Sequence, residues 1–403
     1  MSGVLILGAS HSGVATAAAL RSAGYDNPVA LVTQETILPY HRPPLSKEAL
    51  SKEDYSPTLL RPESFYKSNR IDLIQGVRIV SLDLDQRYAL CEDGARYPYE
   101  RLILACGAEP RRLSAAIDPE GVARYLRTYE DFSELKSRLA HATSVAIIGG
   151  GLIGVEIAAM AVQKGLRTTV IEAGARLMER TVSKSIANYV LDRHQAKGLN
   201  VRFGAVVTAI NRNEARNVDI VTLNDGEAIE ADLVVVAIGA APNDALARAA
   251  GLKVRNGILV SEEGQTSRPG VYAVGDCAAW YDPAHGCHVR NEAVNPGQDQ
   301  AKAAAAAIAG TAPPPKRLPR YWSHQASIQI QMSGDVHGAD MEAVLNAPAS
   351  GAFSLLGFKA NRLAAVQTIN AAQQFGRLQE MIGMDRDALA AALDVEFSPP
   401  HRH

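Results

Sequence analysis

Cysteine is scarce in this sequence, with four residues among 403. They form no C-x-x-C or C-x4-C pair, which argues against a disulfide framework and against a paired-cysteine zinc site. The ten histidines, including the tail residues His401 and His403, form no H-x-x-x-H or H-E-x-x-H pair, so we predict no metal site. Unpaired cysteines are typical of a reducing compartment, and we expect the protein in the cytoplasm. The cysteines are Cys91, Cys106, Cys277 and Cys287.

Long apolar runs and an excess of one charge are also missing. A membrane-spanning helix needs about 20 apolar residues, whereas the longest run, around 233–241, has the length of a strand. The first residues carry no basic segment, so they predict a first strand and not a signal peptide. With 41 Lys+Arg against 43 Asp+Glu, the formal net charge is −2. We therefore expect neither nucleic acid nor a membrane as a partner.

Aromatic residues make up only 5% of the chain, while alanine and glycine are plentiful. Such a composition favours close backbone packing, as in nucleotide-binding α/β folds. Hydrophobic residues at 47% and charged residues at 21% are an ordinary globular balance, which excludes disordered and collagen-like proteins. At about 150 residues per domain, the length predicts two or three domains.

The dominant feature of the sequence is a pattern that occurs twice. In each copy an aliphatic strand runs into a glycine-rich loop, and the helix that follows ends at a glycine. A further strand closes each copy, so both are predicted as β-turn-α-β units. The successive segments are Val4–Leu7, 8–13, 14–24 and 28–32 in the first copy, and 145–148, 149–154, 155–165 and 168–171 in the second.

The repeat continues downstream of each unit. Residues 101–110 and 232–242 both predict a buried parallel strand that leaves into a Gly-x-x-Pro turn. After three prolines at 313–315 the pattern changes, which predicts a third, α+β domain. The fold class is therefore α/β, with two Rossmann-like dinucleotide-binding domains and a C-terminal α+β domain. The strands predicted in the last domain are 327–332, 352–358 and 364–369, and its helix is 375–382.

The glycine loops predict the binding of dinucleotides. In G-x-G-x-x-G the first glycine permits the turn, the second lets the backbone approach a pyrophosphate, and the third lets helix and strand pack closely. The helix N-terminus supplies free N–H groups to the phosphates. Gly149, Gly151 and Gly154 complete this pattern. The first loop departs from it, because Ser10 stands where the second glycine is expected.

The acidic residue after the second strand indicates which nucleotide binds. Glu172 is placed to accept the ribose hydroxyls of an adenosine and to repel a 2′-phosphate, which favours NAD over NADP. Arg176 is a caution, because an arginine there can receive a 2′-phosphate. In the first copy the equivalent place holds Gln34 and Glu35. Glu35 either binds the ribose or is a solvated loop charge.

Two dinucleotide sites in one chain suggest that one cofactor is a flavin. Residues 271–276 predict a strand that ends in Gly275-Asp276, where Asp276 is placed to hold a ribityl chain beside a helix N-terminus. The alternative for Asp276 is a plain helix cap. A serine hydrolase is excluded, because Ser12 occupies the last glycine position of a G-x-S-x-G elbow around Ser10.

Several stretches follow one another in a recognisable order. They are PYHRPPLSK at 39–47, YLRT at 125–128, residues 149–156 and 271–276, and YWS at 321–323. With them the chain resembles the FAD-dependent NAD(P)H:ferredoxin reductases of oxygenase systems and the rubredoxin reductases, and more distantly apoptosis-inducing factor. The resemblance implies a glutathione reductase-like fold. It places an FAD-binding domain at 1–110 and 242–318, an NAD-binding domain at 111–241 and a C-terminal domain at 319–403.

The resemblance also implies roles by position. It places Lys47 near the reactive edge of the flavin, where a cation stabilises negative charge on the reduced ring; the alternative is a surface lysine after a proline turn. It places Glu156 and Glu292 beside the nicotinamide carboxamide, and Trp322 close to the flavin. These four are the implied catalytic positions. The predicted cofactor contacts are these four with Gly8, Ser10, His11, Ser12, Gly13, Gln34, Glu35, Arg42, Ile79, Ala105, Gly107, Arg127, Gly149, Gly151, Leu152, Ile153, Gly154, Glu172, Arg176, Ile238, Gly239, Gly275, Asp276, Ala293 and Val294.

Within that set, the resemblance implies that Arg127 reaches the flavin pyrophosphate and that a backbone group of Ile79 contacts the adenine. It implies that Asp276 binds the ribityl chain, that Val294 contacts the isoalloxazine, and that Arg42 lines the flavin.

The chain departs from the family pattern at four places. Ser10 replaces a glycine, and Gln34 replaces the ribose acid. In the segment that commonly reads P-W-F-W-S-D-Q, Arg320 replaces the first aromatic residue and His324 replaces the acid. The choice of redox partner is what the last two departures affect. Cys106, where threonine is common, is interpreted as a small buried hydrophobe and not as a reactive thiol.

The predicted function is an NADH:ferredoxin oxidoreductase. NADH passes a hydride to FAD, and the electrons go singly to a [2Fe-2S] ferredoxin that serves a Rieske oxygenase or a cytochrome P450. No paired cysteines are present to support the disulfide chemistry of glutathione reductase-like or thioredoxin reductase-like enzymes. Lys316, Arg317 and Arg320 are candidates for docking an acidic ferredoxin, with a solvated linker face as the alternative.

Other functions remain open from the sequence. The chain is alternatively a rubredoxin reductase, or a flavoprotein with a signalling role like apoptosis-inducing factor. A flavin-free NAD-binding module is a further alternative, given Ser10 and Gln34. The protein is expected as a monomer or a homodimer.

Overall fold

The computed structural model describes residues 3–283, 286–315 and 317–397. Its helices are α1 (His11–Ser22), α2 (Glu63–Ser68), α3 (Tyr129–His141), α4 (Leu152–Gln163), α5 (Lys184–Gln195), α6 (Ala245–Ala249), α7 (Val294–Ala309), α8 (Ala372–Glu380) and α9 (Arg386–Leu393). Short 3-10 turns lie at Pro43–Ser46, Glu48–Leu50, Gly275–Cys277 and Pro348–Ser350. Across these described ranges, no helix combines the length and the apolar character that crossing a membrane requires.

The strands follow the same chain order. They are β1 (Val4–Leu7), β2 (Val29–Val32), β3 (Ile71–Ile74), β4 (Ile79–Asp83), β5 (Tyr88–Cys91), β6 (Arg96–Pro98), β7 (Arg101–Leu104), β8 (Ala108–Pro110), β9 (Ser144–Ile148), β10 (Arg167–Glu172), β11 (Asn200–Phe203), β12 (Val207–Asn213), β13 (Val218–Leu223), β14 (Ala228–Ala231), β15 (Leu233–Val236), β16 (Ala240–Pro242), β17 (Ile258–Val260), β18 (Val271–Ala273), β19 (Ala278–Asp282), β20 (Cys287–Val289), β21 (Arg320–Gln325), β22 (Ile328–Gly334), β23 (Met341–Leu345), β24 (Phe353–Lys359) and β25 (Arg362–Ile369).

The described residues group into two compact units. The first unit takes its residues from Met1–His41, Ser56–Glu109 and Ala240–Pro319. The second takes its residues from Arg42–Tyr55, Pro110–Gly239 and Arg320–His403. The boundaries of three separate domains remain a prediction.

The first unit is built on a five-stranded parallel sheet in the order β18-β7-β1-β2-β3. All four residues of β1 are buried, as expected for a parallel strand covered on both faces. α1 packs against α7 through alanines: Ala17, Ala304 and Ala305 are at most 1% exposed in one apolar cluster. Small side chains let these two helices approach closely, which is the packing that the alanine content predicts.

The second unit contains a four-stranded parallel sheet in the order β11-β10-β9-β15 and an antiparallel sheet β12-β13-β14. The two β-turn-α-β predictions are confirmed, but both helices begin three residues earlier than predicted. α1 begins at His11 and α4 at Leu152, so Gly13 and Gly154 lie inside helices. The glycine loops are therefore shorter than their motif, because the last half of each motif already forms the first helical turn.

Residues 320–397 of the second unit form a five-stranded antiparallel sheet in the order β21-β22-β25-β24-β23, with α8 and α9. The α+β prediction is confirmed, and the three predicted strands correspond to β22, β24 and β25. β21, β23 and α9 were not predicted. Phe358, Phe375 and Leu389 are fully buried in one apolar cluster of this sheet with α8 and α9.

The alternative that Asp276 caps an α-helix is wrong. Gly275–Cys277 is a single 3-10 turn, and β19 follows it directly. The next α-helix of the first unit, α7, begins at Val294. The N-terminus of α7 lies beside this turn, because a Cβ built on Gly297 in its first turn would lie 3.6 Å from the Gly275 Cα.

Candidate functional site

The first glycine loop joins β1 to α1. Gly8 has φ +107°, and a Cβ there would lie 2.3 Å from the carbonyl oxygen of Ala105. A Cβ on Gly13 would lie 1.8 Å from the carbonyl oxygen of Gly8. Ser10 is the N-cap with φ −92°, a conformation open to any residue. Packing therefore requires glycine at Gly8 and Gly13, whereas the backbone at Ser10 can accommodate any residue.

The second glycine loop joins β9 to α4. A Cβ on Gly149 would lie 2.5 Å from the carbonyl oxygen of Ala237, and one on Gly154 would lie 2.0 Å from that of Gly149. A Cβ on Gly151 meets no atom within 4 Å. Protein packing thus explains two of the glycines and leaves the third unexplained. An open backbone at the N-cap of α4 fits a pyrophosphate, whose approach a side chain there would obstruct.

Glu172 lies at the end of β10, where its carboxylate accepts hydrogen bonds from the backbone N–H groups of Gly150 and Gly174, both at 2.6 Å. Arg176 donates to the carbonyl oxygens of Val182 at 2.8 Å and Glu179 at 2.9 Å. The guanidinium of Arg176 is therefore engaged by backbone acceptors. Glu172 is therefore anchored at the glycine loop, and its contact with a ribose stays a prediction.

Large apolar side chains are exposed at the same edge of this sheet. Ile153, in the first turn of α4, is 45% exposed, and Ile238, after β15, is 39% exposed. Leu152 begins α4, and Gly239 follows Ile238 with φ +102°. Exposed isoleucines at the carboxyl ends of parallel strands fit an apolar ring system of a ligand.

At the equivalent place in the first unit, Gln34 is exposed and Glu35 is half-buried. The carboxylate of Glu35 accepts a hydrogen bond from the hydroxyl of Tyr40 at 2.7 Å. Glu35 is therefore not merely a solvated loop charge.

The turn at Gly275-Asp276 meets the first glycine loop through Ser12. A Cβ on Gly275 or on Gly297 would lie 2.5 Å from the Ser12 hydroxyl oxygen. The backbone N–H of Gly275 donates to the side-chain oxygen of Gln300 at 2.8 Å. Two glycines and a buried glutamine thus bring α1, α7 and the Asp276 turn together.

Arg290 holds Glu292 near the same turn. Its guanidinium lies 2.5 Å from the Glu292 carboxylate and donates to the carbonyl oxygen of Asp276 at 3.3 Å. Ala293 is the N-cap of α7, and Val294 is its first residue. The sequence predictions missed Arg290, although an arginine two residues before a glutamate in an extended segment was a usable signal.

Two histidines contact each other in the first unit. The Nε2 of His11 lies 3.4 Å from the Nδ1 of His41, and their rings are edge to face. Desolvation by burial lowers the pKa of His41. The other first-unit candidates lie on or next to strands: Ile79 begins β4, and Ala105 and Gly107 follow β7.

In the second unit Lys47 and Glu156 form a buried ion pair. The Lys47 Nζ lies 2.9 Å from the Glu156 carboxylate, with side-chain exposures of 8% and 1%. Lys47 also donates to the carbonyl oxygen of Pro43 at 2.9 Å. The hydroxyls of Ser46 and Ser323 donate to Glu156 at 2.5 Å and 2.6 Å. Lys47 is therefore not a surface lysine.

Other predicted residues of this unit lie on α3 and β21 or next to them. Arg42 donates to the carbonyl oxygen of Arg127 at 3.4 Å, and the Arg127 N–H donates to the Asp131 carboxylate at 2.9 Å. Trp322 is half-buried on β21, paired with Gln331 of β22. The sequence predictions missed Ser323 and Gln325, which are both 0% exposed on this strand.

The basic docking candidates differ from one another. The Arg320 guanidinium lies over the Phe375 ring, 4.9 Å from its centroid, which gives it a packing role within its own unit. Arg317 is exposed, and His324 is half-buried. Lys316 lies outside the described residues, as do His401 and His403.

All four cysteines are described and carry free thiols. Burial raises the pKa of the Cys106 thiol, and it raises that of Cys277 to about 11. Both thiols therefore stay protonated near neutral pH and are poor nucleophiles. Over the described ranges no group of His, Cys, Asp and Glu is suited to hold a metal ion.

Comparison with known proteins agrees with this geometry. Residues 2–307 match the family described as pyridine nucleotide-disulphide oxidoreductase, and residues 320–397 match the one described as reductase C-terminal. A rubredoxin-NAD(+) reductase of Pseudomonas putida is 38% identical over 376 residues, which cover 93% of this chain and 97% of the relative.

Two solved structures have the same fold. The ferredoxin reductase of the CYP199A2 system from Rhodopseudomonas palustris has a TM-score of 0.90 and 36% identity, covering 96% of each chain. The reductase of the covalent putidaredoxin reductase–putidaredoxin complex has a TM-score of 0.90 and 32% identity, covering 96% of this chain and 95% of that one. The chain therefore belongs to the pyridine nucleotide-disulphide oxidoreductase family, within the group of FAD-containing, NAD(P)H-dependent ferredoxin and rubredoxin reductases.

Proposed function

We propose that this protein is an NADH:ferredoxin oxidoreductase that passes electrons through FAD to a [2Fe-2S] ferredoxin, which serves a Rieske oxygenase or a cytochrome P450. The observation that carries the proposal is the state of the cysteines: all four thiols are free. Burial keeps Cys106 and Cys277 protonated. The sequence also has no C-x-x-C or C-x4-C pair for an internal dithiol, so we expect an external acceptor to take the electrons.

FAD supplies the step between a two-electron donor and one-electron acceptors, because a flavin accepts a hydride and releases electrons singly. The chain's residues bind and orient. We assign the pyrophosphate of FAD to the loop of Gly8, Ser10, His11, Ser12 and Gly13, with Arg127. Arg42, Lys47 and Trp322 are assigned to the isoalloxazine. The remaining FAD contacts assigned are Gln34, Glu35, Ile79, Ala105, Gly107, Gly275, Asp276, Ala293 and Val294.

NADH is assigned to the second glycine loop. Gly149, Gly151 and Gly154 shape it, and the first turn of α4 offers N–H groups at Leu152 and Ile153. Ile238 and Gly239 are also assigned to NADH. Glu156 and Glu292 are assigned to the carboxamide group of the nicotinamide. In this scheme Glu156 holds the Lys47 ammonium, with no proton transferred, so that a fixed positive charge favours a reduced, anionic ring.

NADH is preferred to NADPH in this proposal. Two carboxylates lie beside the backbone of Gly174. A Cβ built on Gly174 would lie 2.7 Å from a carboxylate oxygen of Glu179, and the Gly174 N–H donates a hydrogen bond to the Glu172 carboxylate. Two carboxylates beside a 2′-phosphate would repel it. Arg176 does not offset this repulsion, because its guanidinium donates hydrogen bonds to backbone carbonyl oxygens.

Replacing Glu172 with alanine is expected to reduce the kcat/KM preference for NADH over NADPH at least about fivefold, since one unit charge at short range is worth about 1 kcal/mol or more. The measurement is the ratio of kcat/KM for the two nucleotides, with ferricyanide as acceptor. The ratio cancels any effect on folding. Glu227→Ala removes an exposed carboxylate of the same unit and should leave the ratio unchanged. An unaltered ratio in Glu172→Ala would remove Glu172 from the ribose site.

The proposed function is tested with purified protein. We expect flavin absorbance bands at about 380 and 450 nm. We also expect NADH-dependent reduction of a [2Fe-2S] ferredoxin. A protein without flavin bands would be an NAD-binding module. Flavin bands with NADH oxidation but no turnover with any ferredoxin of a panel would instead favour a signalling flavoprotein.

A rubredoxin is the second candidate acceptor. The observation that favours it is the 38% identity to a rubredoxin-NAD(+) reductase over 93% of this chain. A rubredoxin therefore belongs in the same panel, and a kcat/KM higher with rubredoxin than with every ferredoxin would select it.

For the remaining properties we propose a cytoplasmic monomer or homodimer with three domains, at 1–110 with 242–318, 111–241 and 319–403. The exposed free thiol of Cys287 supports a reducing compartment.

A further inference from the structure

A chain of buried polar side chains leads away from Glu156 on the side opposite Lys47. The Ser323 hydroxyl donates to one carboxylate oxygen of Glu156 at 2.6 Å, while Ser46 and Lys47 engage the other. The Gln325 amide nitrogen donates to the Ser323 hydroxyl at 3.1 Å. The Gln325 side-chain oxygen lies 3.1 Å from His194 Nε2.

The chain has one direction. A carboxylate only accepts hydrogen bonds, so the Ser323 hydroxyl donates its single proton to Glu156. The Ser323 oxygen must then accept the hydrogen bond from the Gln325 amide. Gln325 then presents its oxygen to His194, which must carry its proton on Nε2. The second proton of the Gln325 amide points to the Met178 sulfur at 3.2 Å. The charge of Glu156 thus fixes a hydroxyl, an amide and a tautomer in sequence.

The members of this chain come from separate elements. Glu156 lies on α4, Ser323 and Gln325 on β21, and His194 near the end of α5. All four are at most 2% exposed. Burial lowers the pKa of His194, which keeps it neutral and consistent with a single Nε2 proton. Alternation along β21 places Ser323 and Gln325 on one face of the strand and Trp322 on the other.

We propose that Ser323, Gln325 and His194 are positioning residues that hold the Glu156 carboxylate in one orientation against Lys47. The proposal rests on the proposed function only in giving Glu156 a role beside the nicotinamide. A carboxylate held from both sides cannot rotate, so Lys47 and the bound nucleotide meet a fixed acceptor. Without Ser323, the carboxylate keeps the partners of one oxygen only and becomes free to turn about them.

A merely structural role is the alternative, because any buried polar group needs a partner. Ser354 provides the matched control. It is 0% exposed, it lies on β24 of the same sheet, and its hydroxyl donates to Gln374 at 2.8 Å. Ser354→Ala removes the same group from an equally buried place that is not bonded to Glu156.

The first measurement needs no turnover. In the oxidised FAD-loaded protein, 15N NMR of the imidazoles should show His194 protonated at Nε2 alone. Ser323→Ala frees the Gln325 amide to flip, so the Nδ1-protonated tautomer should become detectable. Ser354→Ala should leave the wild-type signal. A wild-type His194 protonated at Nδ1, or a Ser323→Ala signal equal to that of the control, would overturn the proposal.

The second measurement is steady-state reduction of ferricyanide by NADH. Losing one hydrogen bond to a charged group is worth about tenfold, so Ser323→Ala and Gln325→Leu should raise the KM for NADH about tenfold and change kcat less. Ser354→Ala should change neither more than about twofold. Equal KM values in Ser323→Ala and Ser354→Ala would show that the chain only satisfies buried groups. A wild-type protein inactive with NADH would refute the proposed function, while the NMR result would still decide the orientation of the chain.

Discussion

Replacing Lys47 with methionine is expected to cost about 3–5 kcal/mol of unfolding free energy, the usual effect of removing one partner from a buried ion pair. Glu156 is 1% exposed, so its charge would keep only the hydroxyls of Ser46 and Ser323 as partners. We expect the rate of flavin reduction by NADH to fall at least about 100-fold, as when a preorganised charge is removed from a reaction centre.

Two further variants separate stability from chemistry. Lys47→Met combined with Glu156→Gln removes both charges and should regain most of the stability, yet stay slow in stopped-flow reduction. Lys67→Met breaks an ion pair with Glu63 in which both side chains are more than 60% exposed. That variant should lose no more than about 0.5 kcal/mol and no activity. Full stability of Lys47→Met in urea unfolding, or normal reduction by NADH, would contradict the assignment.

Replacing Gly151 with alanine is expected to abolish tight binding of the nicotinamide nucleotide while the protein stays folded. Its backbone has φ −72°, which alanine adopts easily, and no protein atom lies within 4 Å of the new Cβ. Only a ligand at the N-cap of α4 would meet the methyl group. We expect the Kd for NAD+ to rise about 100-fold, because a displacement of the ligand by about 1 Å can have an effect of this size. The free energy of unfolding should change by about 1 kcal/mol or less.

Titration calorimetry of NAD+ into the oxidised, FAD-loaded protein measures this without turnover. Gly154→Ala is the opposite control, because its Cβ would lie 2.0 Å from the backbone oxygen of Gly149. That variant must shift α4 against β9, and it should lose about 3 kcal/mol or more. Unchanged NAD+ affinity in Gly151→Ala would move the nucleotide away from this loop.

Local patterns determined much of the fold from the sequence alone. A strand, a glycine turn and an apolar helix are specified within about 30 residues, so both β-turn-α-β units were predicted correctly. The helix starts were predicted three residues late, because the sequence marks the last glycine of each loop as a loop residue. In the structure Gly13 and Gly154 are glycines because a neighbouring strand and turn leave no space for a Cβ.

Residue types likewise determined part of the chemistry. Four unpaired cysteines already argued against a dithiol, and Glu172 already argued for NAD. The burial that keeps Cys277 protonated is a property of packing, and so is the engagement of Arg176 by the carbonyl oxygens of Val182 and Glu179. From the sequence alone, Arg176 remained a possible 2′-phosphate partner, because its hydrogen-bond acceptors cannot be identified without the fold.

Only the tertiary structure decided how distant residues combine. Lys47, Glu156 and Ser323 are more than 100 positions apart in sequence, and no periodicity or spacing connects them. Burial removes water from these groups, so each must take its partner from another element. The sequence therefore determined two nucleotide-binding units and the family of their cofactors. The fold decided which lysine, carboxylate and hydroxyl meet, because only packing places them out of water and within hydrogen-bonding distance.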